Sequence, residues 1–159
     1  LMKNFTNFFI SLAFVGYIKT MSGTFASLVS ILFLFPFFYF KILSIEIFLL
    51  IFILIFLVSL YLINLYSRQT NTQDSNIIVI DEFIGIFLIF LFYDEIYLYN
   101  NFFTIILIFF LFRFFDITKV FPANLIDKKM LNSFGVILDD IVAAIYTILT
   151  LYFINVFIQ

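Results

Sequence analysis

Residues 42–66 read ILSIEIFLLIFILIFLVSLYLINLY, a run whose only charge is Glu46 near one end. At about 1.5 Å per residue, a helix of this length crosses the roughly 30 Å hydrocarbon core of a bilayer with some tilt. A helix apolar on every side has no place on the surface of a soluble domain, so this stretch sets the class as a membrane protein. The rest of the chain agrees. Of its 159 residues 65% are hydrophobic and 11% charged, with a mean hydropathy of +1.24, against about 45–50% apolar and 25% charged in soluble domains. Further apolar stretches fall at about 5–18, 25–40, 77–93, 98–115 and 134–158, separated by charge because there are only two prolines and four glycines. The expected fold is all-α: one domain over residues 1–159, a polytopic helical membrane bundle of about five or six embedded helices.

The N-terminal stretch is short, begins with Lys3 and Asn4, and lacks a small-residue cleavage site. It reads as a retained helix, a signal anchor or an interfacial segment rather than a removed signal peptide. Met2, beside Leu1, looks like the natural start. The segments 83–93 and 102–115 are each short for a crossing, and read as a helical hairpin whose turn holds Tyr93, Asp94, Glu95 and Asn100. If the chain zigzags, residues 19–24, 67–82 and 113–133 share one face with the start of the last helix. That face carries Lys19, Arg68, Arg113, Lys119, Lys128 and Lys129, while the other carries Lys41, joined by Lys3 if the first stretch crosses. The positive-inside bias makes the first face cytoplasmic. Most of the acids gather there too: Asp74, Asp81, Glu82, Asp116, Asp127, Asp139 and Asp140.

Composition removes several chemistries. Without cysteine there is no disulfide, thiolate nucleophile or thiolate metal ligand, and without histidine any side-chain metal site must use oxygen donors. A net charge of −2 gives no footprint for nucleic acid. The 28 Phe are most simply the mark of an A+T-rich genome.

Four clusters stand out. Asp81 and Glu82 are adjacent carboxylates inside an apolar run, costly to ionise in hydrocarbon without a cation. Gly85, four residues after Asp81, leaves room for a neighbouring helix. First-turn acids complementing a helix dipole are the plainer alternative. Asp139 and Asp140 repeat the pattern, with Ala143 and Ala144 one turn beyond. Side by side, the two pairs would form a four-carboxylate site for a hard cation such as Mg²⁺ or Mn²⁺, or a network neutralised by nearby basic residues. Arg113, Asp116 and Lys119 recur at spacings of three, a stripe that can hold a phosphate or simply anchor a helix end. Ser22, Gly23, Thr24 and Ser27 open a helix, either as an anion site of free backbone N–H groups or as an ordinary cap with Ser22 or Thr24 at the N-cap.

Taken in order, these clusters resemble the phosphatidylglycerophosphatase A family. The resemblance rests on Gly-Thr-x-x-Ser at Gly23, Thr24 and Ser27; Val-Ile-Asp-Glu-x-x-Gly at Val79 to Gly85; Phe-Arg-x-Phe-Asp-x-x-Lys at Phe112 to Lys119 with Pro122; and Gly-Val-x-x-Asp-Asp-x-x-Ala at Gly135 to Ala143. The sequence departs from the family pattern at Ser22, Ala26, Ile86, Val120 and Ala144, none of which removes a charge. The resemblance implies a Mg²⁺-dependent phosphatase of the bacterial inner membrane that converts phosphatidylglycerophosphate to phosphatidylglycerol on the cytoplasmic side. The expected metal ligands are Asp81, Glu82, Asp139 and Asp140. Gly23, Thr24, Ser27, Arg113 and Lys119 would bind the phosphate, and Asp116, Asp81 and Asp140 would take part in catalysis, with water or Asp116 itself as nucleophile. Lys128 and Lys129 are expected at the anionic membrane surface. Two rival classes are a cation-coupled transporter or channel subunit, which predicts acids near the bilayer midplane, and a non-catalytic scaffold.

Overall fold

The computed structural model describes residues 2–72, 75–98, 100–130 and 132–158, except the side chains of Met2 and Ile158. Asp74, one of the acids expected at the polar face, lies outside the described residues. The chain forms eight α-helices among these residues: α1 (Met2–Ile10), α2 (Ser22–Tyr39), α3 (Ile45–Thr70), α4 (Ile80–Leu91), α5 (Tyr93–Ile96), α6 (Asn101–Thr118), α7 (Ala123–Lys129) and α8 (Ser133–Ile158). Four of them, α2, α3, α6 and α8, are long and apolar enough to cross a membrane. The protein is an all-helical membrane protein.

The bundle is organised around α4, the shortest of the strongly apolar helices. Its 12 residues extend about 18 Å, too little for the hydrocarbon core, and Ile80, Phe83, Ile84, Gly85, Ile86, Phe87, Ile89 and Phe90 are all buried. A helix apolar all round is the one a bundle places at its centre, and α4 packs against α2, α3 and α8. Gly85 sets the closest approach. A Cβ there would lie 2.7 Å from the ring of Phe112 on α6 and 3.2 Å from the carbonyl oxygen of Asp140 on α8. Opposite it α8 offers Ala143 and Ala144, both buried, so small residues on facing helices bring the acid-bearing turns together.

Two expectations change. The stretch 5–18 is not one helix: α1 ends at Ile10, and Leu12, Ala13 and Phe14 take positive φ before a short 3₁₀ turn at Val15–Tyr17. The segment instead folds back on the bundle, where the Val79 amide donates to the Ile10 carbonyl at 2.9 Å. The second arm of the predicted hairpin is longer than its apolar core suggests. Asn100 caps α6 by accepting from the amides of Phe102 at 2.8 Å and Phe103 at 3.4 Å, and the helix continues through Arg113 and Asp116 to Thr118. With 18 residues it is long enough to cross.

The two ends of the bundle separate as the zigzag requires. At one, Lys41 meets Asp94 at 3.3 Å and the Asn155 amide donates to the Glu95 carbonyl at 2.9 Å. At the other, Ser22 Oγ donates to the Asn76 carbonyl at 3.0 Å, and the starts of α2, α4 and α8 converge on the end of α6.

Candidate active site

The converging helix ends enclose a cavity of about 190 Å³ lined by Ser22, Asp81, Glu82, Asp116, Lys119, Asp127, Asp139 and Asp140, among others. Three of these acids arrive by local rules. Asp81 and Glu82 occupy the first turn of α4, where carboxylates complement the helix dipole. Asp116 lies one turn beyond Arg113 on α6, and the two pair through Arg113 Nη1 and Asp116 Oδ2. The same Nη1 stands 3.9 Å from Glu82 Oε1, so the guanidinium ties α6 to α4.

Asp81, Glu82 and Asp140 each present an oxygen within 4.8 Å of the other two. These are hard donors, suited to Mg²⁺ or Mn²⁺ rather than to thiolate-loving metals. Charge points the same way. Six carboxylates line the cavity, and with Arg113 and Lys119 as their cations a formal excess of four negative charges remains when all are ionised. Among the described residues Glu82 Oε2 and Asp139 Oδ1 are also buried without a hydrogen-bond partner, an arrangement that is costly unless something positive fills it. The donor set therefore fits a divalent cation.

Asp139, the fourth carboxylate of the expected metal set, stands outside the group of three and receives the Lys119 ammonium at 2.7 Å. Lys119 also donates to Asp127. It sits just past α6 with φ 43°, a left-handed residue whose amide bonds the Phe115 carbonyl at 3.0 Å. Burial alone would lower its pKa, but the hydrogen bonds it donates to Asp127 and Asp139, and their negative charges, outweigh this and raise it above the ordinary lysine value. The side chain therefore stays cationic across any physiological pH.

The N-terminus of α2 faces the same cluster. A Cβ on Gly23 would collide with Glu82 Oε1 and lie 3.1 Å from Arg113 Nη1, so glycine there leaves the space in which those two side chains meet. Ser27 is buried and returns its hydroxyl to the Gly23 carbonyl at 2.8 Å. Thr24 is partly buried in the same turn, and Ser22 is the member of this motif that lines the cavity. The N-cap is Met21, with no side-chain cap, in place of Ser22 or Thr24. Lys128 and Lys129 are exposed at the end of α7. Asp127 was not among the expected site residues. Its signal in the sequence was one more acid at the polar face, eight residues after Lys119.

A cluster of carboxylates and two cations, embedded at one end of apolar helices and free of cysteine and histidine, defines a membrane protein whose acids could hold a metal ion. The phosphatidylglycerophosphatase A family matches residues 8–155. The chain belongs to that family. The phosphatidylglycerophosphatase A of Haemophilus influenzae is 33% identical over 112 residues, covering 70% of this chain and 66% of the relative. The chain thus aligns with just under two thirds of that relative's length. No solved structure matches the chain.

Proposed function

We propose that the protein hydrolyses the terminal phosphomonoester of phosphatidylglycerophosphate, giving phosphatidylglycerol and inorganic phosphate, with Mg²⁺ as its cation. The observation that carries this reading is the meeting of Asp81, Glu82 and Asp140 within 4.8 Å beside Arg113 and Lys119, at one end of a bundle of apolar helices. Membership of the family and the name of the relative support the substrate assignment.

Asp81, Glu82 and Asp140 would hold the cation, with Asp139 available as a further oxygen donor through its unpartnered Oδ1. When bound, a divalent cation neutralises phosphoryl oxygens and makes water more acidic. The chain's own groups do the rest. Arg113 and Lys119 offer N–H donors to phosphate oxygens as negative charge builds in the transition state. Gly23 keeps the Glu82–Arg113 contact open, while Thr24 and Ser27 shape the first turn of α2 beside it. Asp116 has one oxygen engaged by Arg113. Its other oxygen is left to orient a water, to take its proton, or to attack phosphorus directly.

The site belongs on the cytoplasmic side of the inner membrane, since Arg113, Lys119, Lys128 and Lys129 lie at or beyond that end of α6. The phospholipid would bring its headgroup to the cavity with its acyl chains in the bilayer. Residues 1–159 would act as one phosphatase domain. The carboxylates gather at one end of the bundle, an arrangement that favours hydrolysis over cation-coupled transport, which needs acids along a through-path. Purified protein in detergent micelles should release phosphate from phosphatidylglycerophosphate in Mg²⁺ and stop in EDTA. Equal release in both, or none in either, would overturn the assignment.

A further inference from the structure

Lys119 is held from two directions. Its ammonium donates to Asp127 on α7 and, at 2.7 Å, to Asp139 on α8. An ammonium has three N–H donors, so two carboxylates leave one donor uncommitted, and all three side chains line the same cavity. The helix that supplies Asp127 is only seven residues long, runs from Ala123 to Lys129, and packs on α8. Asp127 is its one acid.

Stability does not account for this arrangement. The Lys119 and Asp127 side chains are 32% and 36% exposed, and ion pairs so open to solvent contribute little. Geometry does. A lysine stem has four rotatable carbons and costs entropy to hold still. Lys119 follows α6 in left-handed backbone, and its ammonium reaches acids on both α7 and α8. Asp139 alone would let the ammonium swing about a single contact, whereas a second acceptor from a different helix fixes its position.

We propose that Asp127 is a positioning residue for the phosphatase reaction: it clamps the Lys119 ammonium against Asp139 so that the remaining N–H points to the phosphate of the substrate. This inference rests on the function proposed above. It assigns α7 the task of delivering one carboxylate to the basic group that binds phosphate.

The test uses the full chain in detergent micelles with Asp127→Ala and Asp127→Glu, each checked for folding by its thermal transition. Loss of one charged hydrogen bond that orients Lys119 should raise KM for phosphatidylglycerophosphate about tenfold while kcat changes much less, and Asp127→Glu should restore most of the loss. In parallel, an amine-acylating reagent followed by peptide mapping should label Lys119 several-fold faster in Asp127→Ala than in the parent, with Lys128 and Lys129 as internal references. An unchanged KM in Asp127→Ala overturns the proposal, whatever the labelling. So does a loss of activity that tracks lowered thermal stability equally in both variants. If the parent chain releases no phosphate, it is the proposed function that fails. The labelling then judges the clamp separately, and an unchanged Lys119 rate removes it.

Discussion

Two lysine–aspartate contacts at opposite ends of the bundle show what burial does to the same chemistry. Lys41 and Asp94 meet at 3.3 Å with side chains 74% and 75% exposed. Lys119 and Asp139 meet at 2.7 Å at 32% and 12% exposure, within reach of Asp127 and beside four further carboxylates. The first pair is screened by solvent and can be lost at little cost. The second belongs to a partly buried cluster, where Asp139 is largely out of solvent and an added or removed charge is felt by its neighbours. One end of the molecule holds a solvent-exposed pair; the other concentrates charge around carboxylates that could hold a metal ion.

This contrast can be broken at graded strength. The largest effect is expected from Asp140→Asn or Asp81→Asn. Losing an outer partner of a metal ligand typically costs 10–100-fold, and losing a ligand oxygen should cost at least about a hundredfold in phosphate release. Arg113→Lys should come next. It keeps the charge but loses the planar guanidinium whose Nη1 meets both Glu82 and Asp116, so kcat/KM should fall roughly tenfold or more. Gly85→Ala probes packing instead. The new methyl meets the Phe112 ring and the Asp140 carbonyl, and an overpacking cost of about 1–3 kcal/mol should appear as a lowered unfolding midpoint in detergent. Lys41→Ala should do least, leaving phosphate release and the unfolding midpoint at parental values. A large loss of activity there would erase the distinction between the two ends.

The sequence carried much of this site because helical spacing is a strong constraint. Placing Gly85 four residues beyond Asp81, and Ala143 and Ala144 beyond Asp139 and Asp140, was enough to foresee two acid-bearing helices in close contact. The same geometry explains why Asp139 parts from Asp140. Neighbouring residues on a helix point about 100° apart, so one carboxylate turns to Asp81 and Glu82 while the other turns to Lys119. Adjacent letters in a motif look like a single ligand pair, and only the fold shows them facing different partners. Asp127 was harder to see, since nothing local links it to Lys119 and a separate short helix brings it there. The break after Ile10 was hidden for another reason. Hydropathy reports what avoids water, and residues 5–18 do so partly by folding against Ile77 and Val79 rather than by extending one helix.

The central claim is that Asp81, Glu82 and Asp140 form one divalent-cation site on which phosphate release depends. The most direct measurement is Mn²⁺ binding to the purified protein by electron paramagnetic resonance, in parent and Asp140→Asn, alongside phosphate release at the same metal concentrations. Saturable binding is expected in the parent, with release that rises over the same concentration range, and both should be lost in Asp140→Asn. Undiminished Mn²⁺ binding in the variant, or full release from the parent in EDTA, would contradict it.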